Sequence, residues 1–143
     1  MKTTASILAI ALGRAVSAGA AQAQSLDNSQ RNNANIRAQL NATVQDVTAD
    51  VALTSAAIAN SFTAEGSSLA TLNNYQNFWG DARSDLSASI SAVQGDVAAT
   101  SAAIANSASI EGDWVGVLNN TQLAAYDPTA TLNATIGNVG GDV

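Results

Sequence analysis

The chain has 143 residues, five Lys and Arg against eleven Asp and Glu, a formal charge of −6, and neither histidine nor cysteine. Without cysteine there are no disulfides, thiol nucleophiles or Cys-type zinc sites, and without histidine the His-dependent hydrolase triads and the commonest transition-metal ligand are gone. The acidic balance opposes nucleic-acid and anionic-lipid binding, because neutralising phosphates takes cations.

Residues 1–23 have the layout of an export signal. Lys2 gives a charged start, SILAIALG a short apolar core, and AQA at 21–23 a small-x-small site before Gln24. The expectation is an N-terminal signal helix removed on export; an ordinary N-terminal helix is the alternative. Arg14 interrupts the apolar run, which is too short to span a bilayer. Beyond residue 23 only Arg31, Arg37 and Arg83 face all eleven acids, for a formal charge of −8. No cysteine is present to take a lipid anchor.

Next comes LDNSQ at 26–30, which returns as LNNYQ at 72–76 and LNNTQ at 118–122. Residues 34–44, ANIRAQLNATV, then alternate strictly, with every even position apolar. Residues 85–92 and 129–136 alternate in the same phase. After a TAD step at 48–50, TSAAIANS fills 54–61 and recurs at 100–107.

These returns share one offset. Leu40–Ser61 matches Leu86–Ser107 at 14 of 22 positions without a gap, and Leu132–Val143 matches Leu40–Val51 at 7 of 12. A gapless period of 46 residues indicates units that bury their apolar faces by stacking on neighbours. The units fall at 24–69, 70–115 and 116–143, after the signal at 1–23. The third unit stops at Asp142-Val143, where the others continue into A-x-T-S-A-A-I-A-N-S, so a piece of a longer array is expected.

Helix and strand compete for these units. Leu40, Val44, Val47, Val51 and Ile58 are spaced 4, 3, 4 and 7 apart, which suits long helices or a coiled coil. On a helix, however, Ala42, Ala88 and Ala134 would lie about 200° from Leu40, Leu86 and Leu132. Strands put both sets on one face. The TAD, QGD and GGD steps favour turns, and Gly140-Gly141 would cost a helix about 2 kcal/mol. The favoured fold is all-β, a β-solenoid-like stack of 46-residue repeats; the all-α coiled coil remains open. With strands of about 5–6 residues, each repeat would hold two rungs of about 23, and the visible units a rod of about 30 Å at about 4.8 Å per rung. The A-x-T-x-A-x-I-x-N stretch would place Ala98, Thr100, Ala102, Ile104, Asn106, Ala108 and Ile110 on one face.

Asn28, Asn74 and Asn120, Gln30, Gln76 and Gln122, and Asn60 and Asn106 then fall in phase with buried positions. An unpaired buried amide costs several kcal/mol, whereas equivalent amides stacked coil on coil bond to one another. A structural amide ladder is one reading; Asn as a turn residue is the other.

Asp50, Asp96 and Asp142 recur at one repeat position, as do Glu65 and Glu111. They read as solvated acids at turns, with a ladder of weak calcium sites as the alternative; no EF-hand or calcium β-roll motif is present. No catalytic cluster, cofactor loop or metal motif stands out. Tyr75, Phe78, Trp79, Trp114 and Tyr126 lie near the L-x-N-x-Q segments but differ between units. Tyr75, Trp79 and Trp114 are candidates for contact with a sugar or surface, against core filling or end capping.

The signal, the Ala/Asn/Gln-rich repeats, the T-x-A-A-I-x-N-S blocks and SQRNNANIRAQLNATVQ at 29–45 resemble the holdfast-attachment (anchor) proteins of alphaproteobacteria and their curlin-like relatives. The resemblance implies a secreted, β-rich structural or adhesive protein at the surface of a Gram-negative cell. It would form a fibre or holdfast-type anchor with no enzymatic activity and no cofactor. Implied partners are further copies of itself and other envelope or matrix proteins or polysaccharide, not nucleic acid. The competing functions are an extracellular coiled-coil stalk and, remotely, a carbohydrate-active solenoid enzyme.

Overall fold

A computed structural model describes the backbone of residues 5–18, 25–66 and 69–143. It contains nine strands: β1 (Ala5–Ala18), β2 (Ser25–Asn32), β3 (Ile36–Val47), β4 (Val51–Gly66), β5 (Leu69–Phe78), β6 (Ala82–Val93), β7 (Val97–Gly112), β8 (Val115–Ala124) and β9 (Thr129–Val139). No helix occurs among the described residues, so the coiled-coil alternative is overturned. The physical reason lies in composition: Ser, Thr and Asn compete with helical backbone bonds, and the chain turns a corner at each of the steps that a helix would have to pass through.

Each of β1 to β6 pairs in parallel with the strand three places on. This gives sheet A (β1-β4-β7), sheet B (β2-β5-β8) and sheet C (β3-β6-β9). The register advances by 46 residues each time, so Leu26, Leu72 and Leu118 form one column and Leu40, Leu86 and Leu132 another. One circuit through B, C and A is one coil of a parallel β-solenoid.

The expectation of two rungs per 46 residues is therefore corrected to one. The strands run to 10, 12 and 16 residues in the second coil, about twice the typical length on which that expectation rested. Three strands per sheet span only about 10 Å along the axis, not 30 Å.

The long sheet A faces both of the others. Its first half packs on sheet C, where Val51, Leu53 and Val97 meet Leu40, Val44, Leu86 and Ile90. Its second half packs on sheet B, where Phe62 and Ala64 meet Leu72. Between them Ala59 and Ala105 meet Phe78 and Ala82. At the join the side-chain alternation breaks, and the consecutive residues Ala59 and Asn60 are both fully buried. The single face expected from Ala98 through Ile110 is corrected accordingly. Ala98, Thr100, Ala102 and Ile104 precede the break and lie on the outer face, while Asn106, Ala108 and Ile110 follow it and turn inward, with Ala108 and Ile110 packing against the Phe62 cluster. A strand that serves two opposing sheets needs one such phase change.

The N-terminal helix is also corrected. Ala5–Ala18 forms strand β1 along the edge of β4, from Ala5 opposite Val51 to Ala18 opposite Ala64. Pairing there supplies hydrogen-bond partners to a strand edge that is otherwise unpaired. The AQA site at 21–23 lies outside the described residues.

Candidate functional site

Long parallel strands put identical residues directly above one another, and in sheet B this brings the amides into columns. Asn28 donates from Nδ2 to Asn74 Oδ1, and Asn74 donates likewise to Asn120 at 2.7 Å. The glutamines run the other way: Gln122 Nε2 donates to Gln76 Oε1, and Gln76 to Gln30, both at 2.9 Å. In sheet A, Asn60 Nδ2 donates to Asn106 Oδ1 at 2.7 Å. All eight amides named from the sequence thus fall into three ladders.

A primary amide has a second N–H, and four of these side chains send theirs across the coil. Gln30 and Gln76 reach the carbonyls of Ser61 and Ser107 at 2.9 and 3.0 Å. Asn60 and Asn106 reach those of Asn77 and Leu123 at 3.3 and 2.8 Å. The ladders therefore bind coil to coil and also sheet B to sheet A, where the apolar layer between them is thin. Gln76 and Asn60 are fully buried; Gln76 pairs through both its oxygen and its nitrogen, whereas Asn60 uses its Nδ2 twice and its Oδ1 has no donor among the described residues.

One polar network escaped the sequence reading, and a second was read only as acids recurring at turns. Ser55, Ser84 and Ser101 join hydroxyl to hydroxyl between sheets A and C, each step 2.9 Å. Ser55 and Ser101 stand one period apart in the same column, but Ser84, which joins them, lies 29 and 17 residues away on the opposing sheet, a pairing that the period does not state. The second is a turn ladder: Asp50 Oδ1 accepts the backbone N–H of Asp96 at 3.0 Å, and Asp96 Oδ1 that of Asp142 at 2.9 Å. These acids brace successive turns. Glu65 and Glu111 line a shallow surface depression with Asp113 at the ends of β4 and β7.

The arginines divide unequally. Arg37 and Arg83 both bind Asp85, at 3.1 and 2.9 Å. Partial desolvation pushes the Asp85 carboxyl up, but the hydrogen bond and charge of Arg83, followed by those of Arg37, hold it below its ordinary value. Arg31 instead lies over the ring of Tyr75, 5.6 Å from its centroid.

Of the aromatic residues, Phe78 is fully buried in the core, while Trp79, Trp114 and Tyr126 are more than half exposed. Tyr75 lies on β5 and Trp79 just beyond its end, with Asn77 between them in the chain. Trp114 precedes β8, at the opposite end of sheet B, and is not part of that group.

In the third coil the inward positions open outward. Leu118 and Leu132, whose second-coil counterparts are buried, are about half exposed, at 51% and 47%. Asn120 and Gln122 are exposed with them, so one end of each sheet-B ladder faces solvent.

No curated protein and no solved structure shows a match to this chain. A family model described as Holdfast attachment protein D matches residues 1–143. With that match running the whole length, the chain belongs to the holdfast attachment protein D family, whose role is attachment at the bacterial envelope or surface.

Proposed function

We propose that this protein is a secreted structural element of the cell surface that assembles with further copies of itself into a fibre or anchor. Residues 1–23 direct export and are removed; 24–69, 70–115 and 116–143 are successive stacking units. Attachment is then a mechanical task carried by backbone ladders and amide columns, with no reaction catalysed.

The observation that carries this reading is the match between the two ends of the sheet-B ladders. In the full chain Asn28 and Gln30 are buried, at 8% and 3% exposure; removal of residues 1–23 opens the first coil, so that Asn28 offers an Oδ1 acceptor and Gln30 a spare Nε2 hydrogen. At the third coil Asn120 presents spare Nδ2 hydrogens and Gln122 an Oε1 acceptor. Donor meets acceptor in both columns when the first coil of one copy follows the third coil of another, and Leu118 is covered by Leu26 of that copy.

Light scattering and electron microscopy of the exported chain test the proposal. Oligomers or fibres are expected, with growth slowed by Ile136→Lys, which sets a charge on the inner face of the last strand. A stable monomer at high concentration, or growth indifferent to that substitution, would overturn it.

A further inference from the structure

The outer face of sheet B holds a feature that neither packing nor stacking explains. At the corner after β5, Trp79 is 60% exposed, although its neighbour Phe78 is fully buried. The residue one coil before it is Asn33 and the one after is Ala125, so no aromatic column requires a ring there. Arg31, Asn33, Asn77 and Trp79 line one surface depression. The Trp79 backbone is fixed by its N–H bond to the Asn32 carbonyl at 2.9 Å.

The polar groups around it are already oriented. Asn77 Nδ2 donates to the Tyr75 hydroxyl at 3.1 Å, and Asn77 Oδ1 is shielded from solvent with no donor among the described residues. Arg31 has no carboxylate partner among the described residues; the Tyr75 ring supports its guanidinium and leaves the N–H groups available. An exposed indole beside two amides and a guanidinium suits a ring with one apolar C–H face and a rim of hydroxyls. That is the chemistry of a pyranose.

We infer that the depression bounded by Trp79, Arg31, Asn33 and Asn77, with Tyr75 beneath Arg31, is a binding site for a neutral saccharide. One sugar ring stacks on Trp79, and its hydroxyls bond to the Asn33 amide, to the Asn77 Nδ2 hydrogen that Tyr75 leaves free, and to Arg31. Neutrality follows from charge: the chain carries −6, and Asp27 and Asp81 lie on the same face and corner. A polyanion would meet net repulsion with a single local cation to offset it. The site requires no assembly, so it stands or falls apart from the proposed fibre.

The test is a fluorescence titration of the full chain carrying Trp114→Ala, which leaves Trp79 as the sole indole. The probes are cello-, xylo- and chito-oligosaccharides, with oligogalacturonate as the acidic counterpart. At least one neutral probe should shift the Trp79 emission saturably. Trp79→Ala in the otherwise unaltered chain should weaken its binding, read by calorimetry, at least about tenfold, the usual scale for truncating an aromatic anchor. Arg31→Ala should weaken it less. No binding by any neutral probe, or binding unaltered by Trp79→Ala, overturns the site; preference for oligogalacturonate overturns the assignment as neutral.

Discussion

The backbone N–H of Asp96 bonds to the side chain of Asp50, the residue one coil before it, at 3.0 Å. Each turn between sheets C and A thus rests on the carboxylate of the turn below. Such close seating leaves no room between them. A Cβ on Gly95 would stand 2.5 Å from the carbonyl carbon of Ala49, and one on Gly141 2.8 Å from that of Gly95. The first-coil equivalent is Ala49, which has no turn described beneath it. The drift from TAD to QGD and GGD therefore records stacking. Gly95→Ala should destabilise the fold by about 1–3 kcal/mol, the range for overpacking, as read by denaturant unfolding. Ala49→Gly, which relieves no clash, should give no gain beyond the usual cost of added backbone freedom.

Asp46, Ala92 and Asn138 share one column and all have left-handed backbone, with φ of 55°, 52° and 55°. Asp and Asn adopt this region with little strain; Ala adopts it at a cost of about 1 kcal/mol. Ala92→Asn or Ala92→Gly should therefore raise stability by about 0.5–1 kcal/mol. A lower denaturation midpoint for both variants would contradict the backbone assignment.

The Gln30–Gln76–Gln122 ladder predicts an inverted mutational series. Gln76→Leu strands Gln30 Oε1, one Gln122 hydrogen and the Ser107 carbonyl, and should cost about 3 kcal/mol or more. Replacing all three glutamines by Leu strands the Ser61 and Ser107 carbonyls but leaves no unpaired amide facing a Leu side chain in the column. The triple variant should unfold at higher denaturant than the single one. The opposite order would show that the amides do not act as a ladder.

The ion pairs of Asp85 predict a pH dependence of definite sign. Its folded-state pKa is depressed, so its contribution to stability is present above the unfolded carboxylate value and is lost as pH falls through the folded one. The Asp85 carboxyl resonance should titrate at lower pH than an isolated Asp. Arg83→Gln should move that titration upward more than Arg37→Gln does, and added salt should shrink the difference. Equal shifts from both substitutions would contradict the geometry, in which Arg83 makes two bonds to the carboxylate.

Much of the interior was legible because the period writes each column into the sequence. Leu40, Leu86 and Leu132, or Asn28, Asn74 and Asn120, can be aligned without knowing the fold, and alternation fixes their face. What a period cannot state is which strands oppose one another within a coil. Ser55 and Ser101 share a column, but that Ser84 meets both of them across sheets is nowhere written in the period. The Ala59–Asn60 phase change depends on where sheet A passes from one opposing sheet to the next. The left-handed corner at Ala92 was hidden because Ala gives no sign of it; only Asp46 and Asn138 in the same column hint at it. Coil size was misjudged because strand length is set by the width of the opposing sheets, and local pattern does not report that width.

The constant register has a consequence for how such a chain can change length. Residue 26 and residue 118 occupy the same column as residue 72, so excising residues 70–115 would bring Leu26 under Leu118, Asn28 under Asn120, Gln30 under Gln122 and Leu40 under Leu132. In these four columns the new neighbours repeat residue types that the parent already stacks, while others change: Ser29 would meet Thr121 and Asn32 would meet Ala124. Removal of a single residue would instead shift every later side chain by one position, turning apolar groups outward and amides off their partners. The gene is thus tolerant of gain or loss of whole units by recombination between its own repeats and intolerant of small insertions inside a strand.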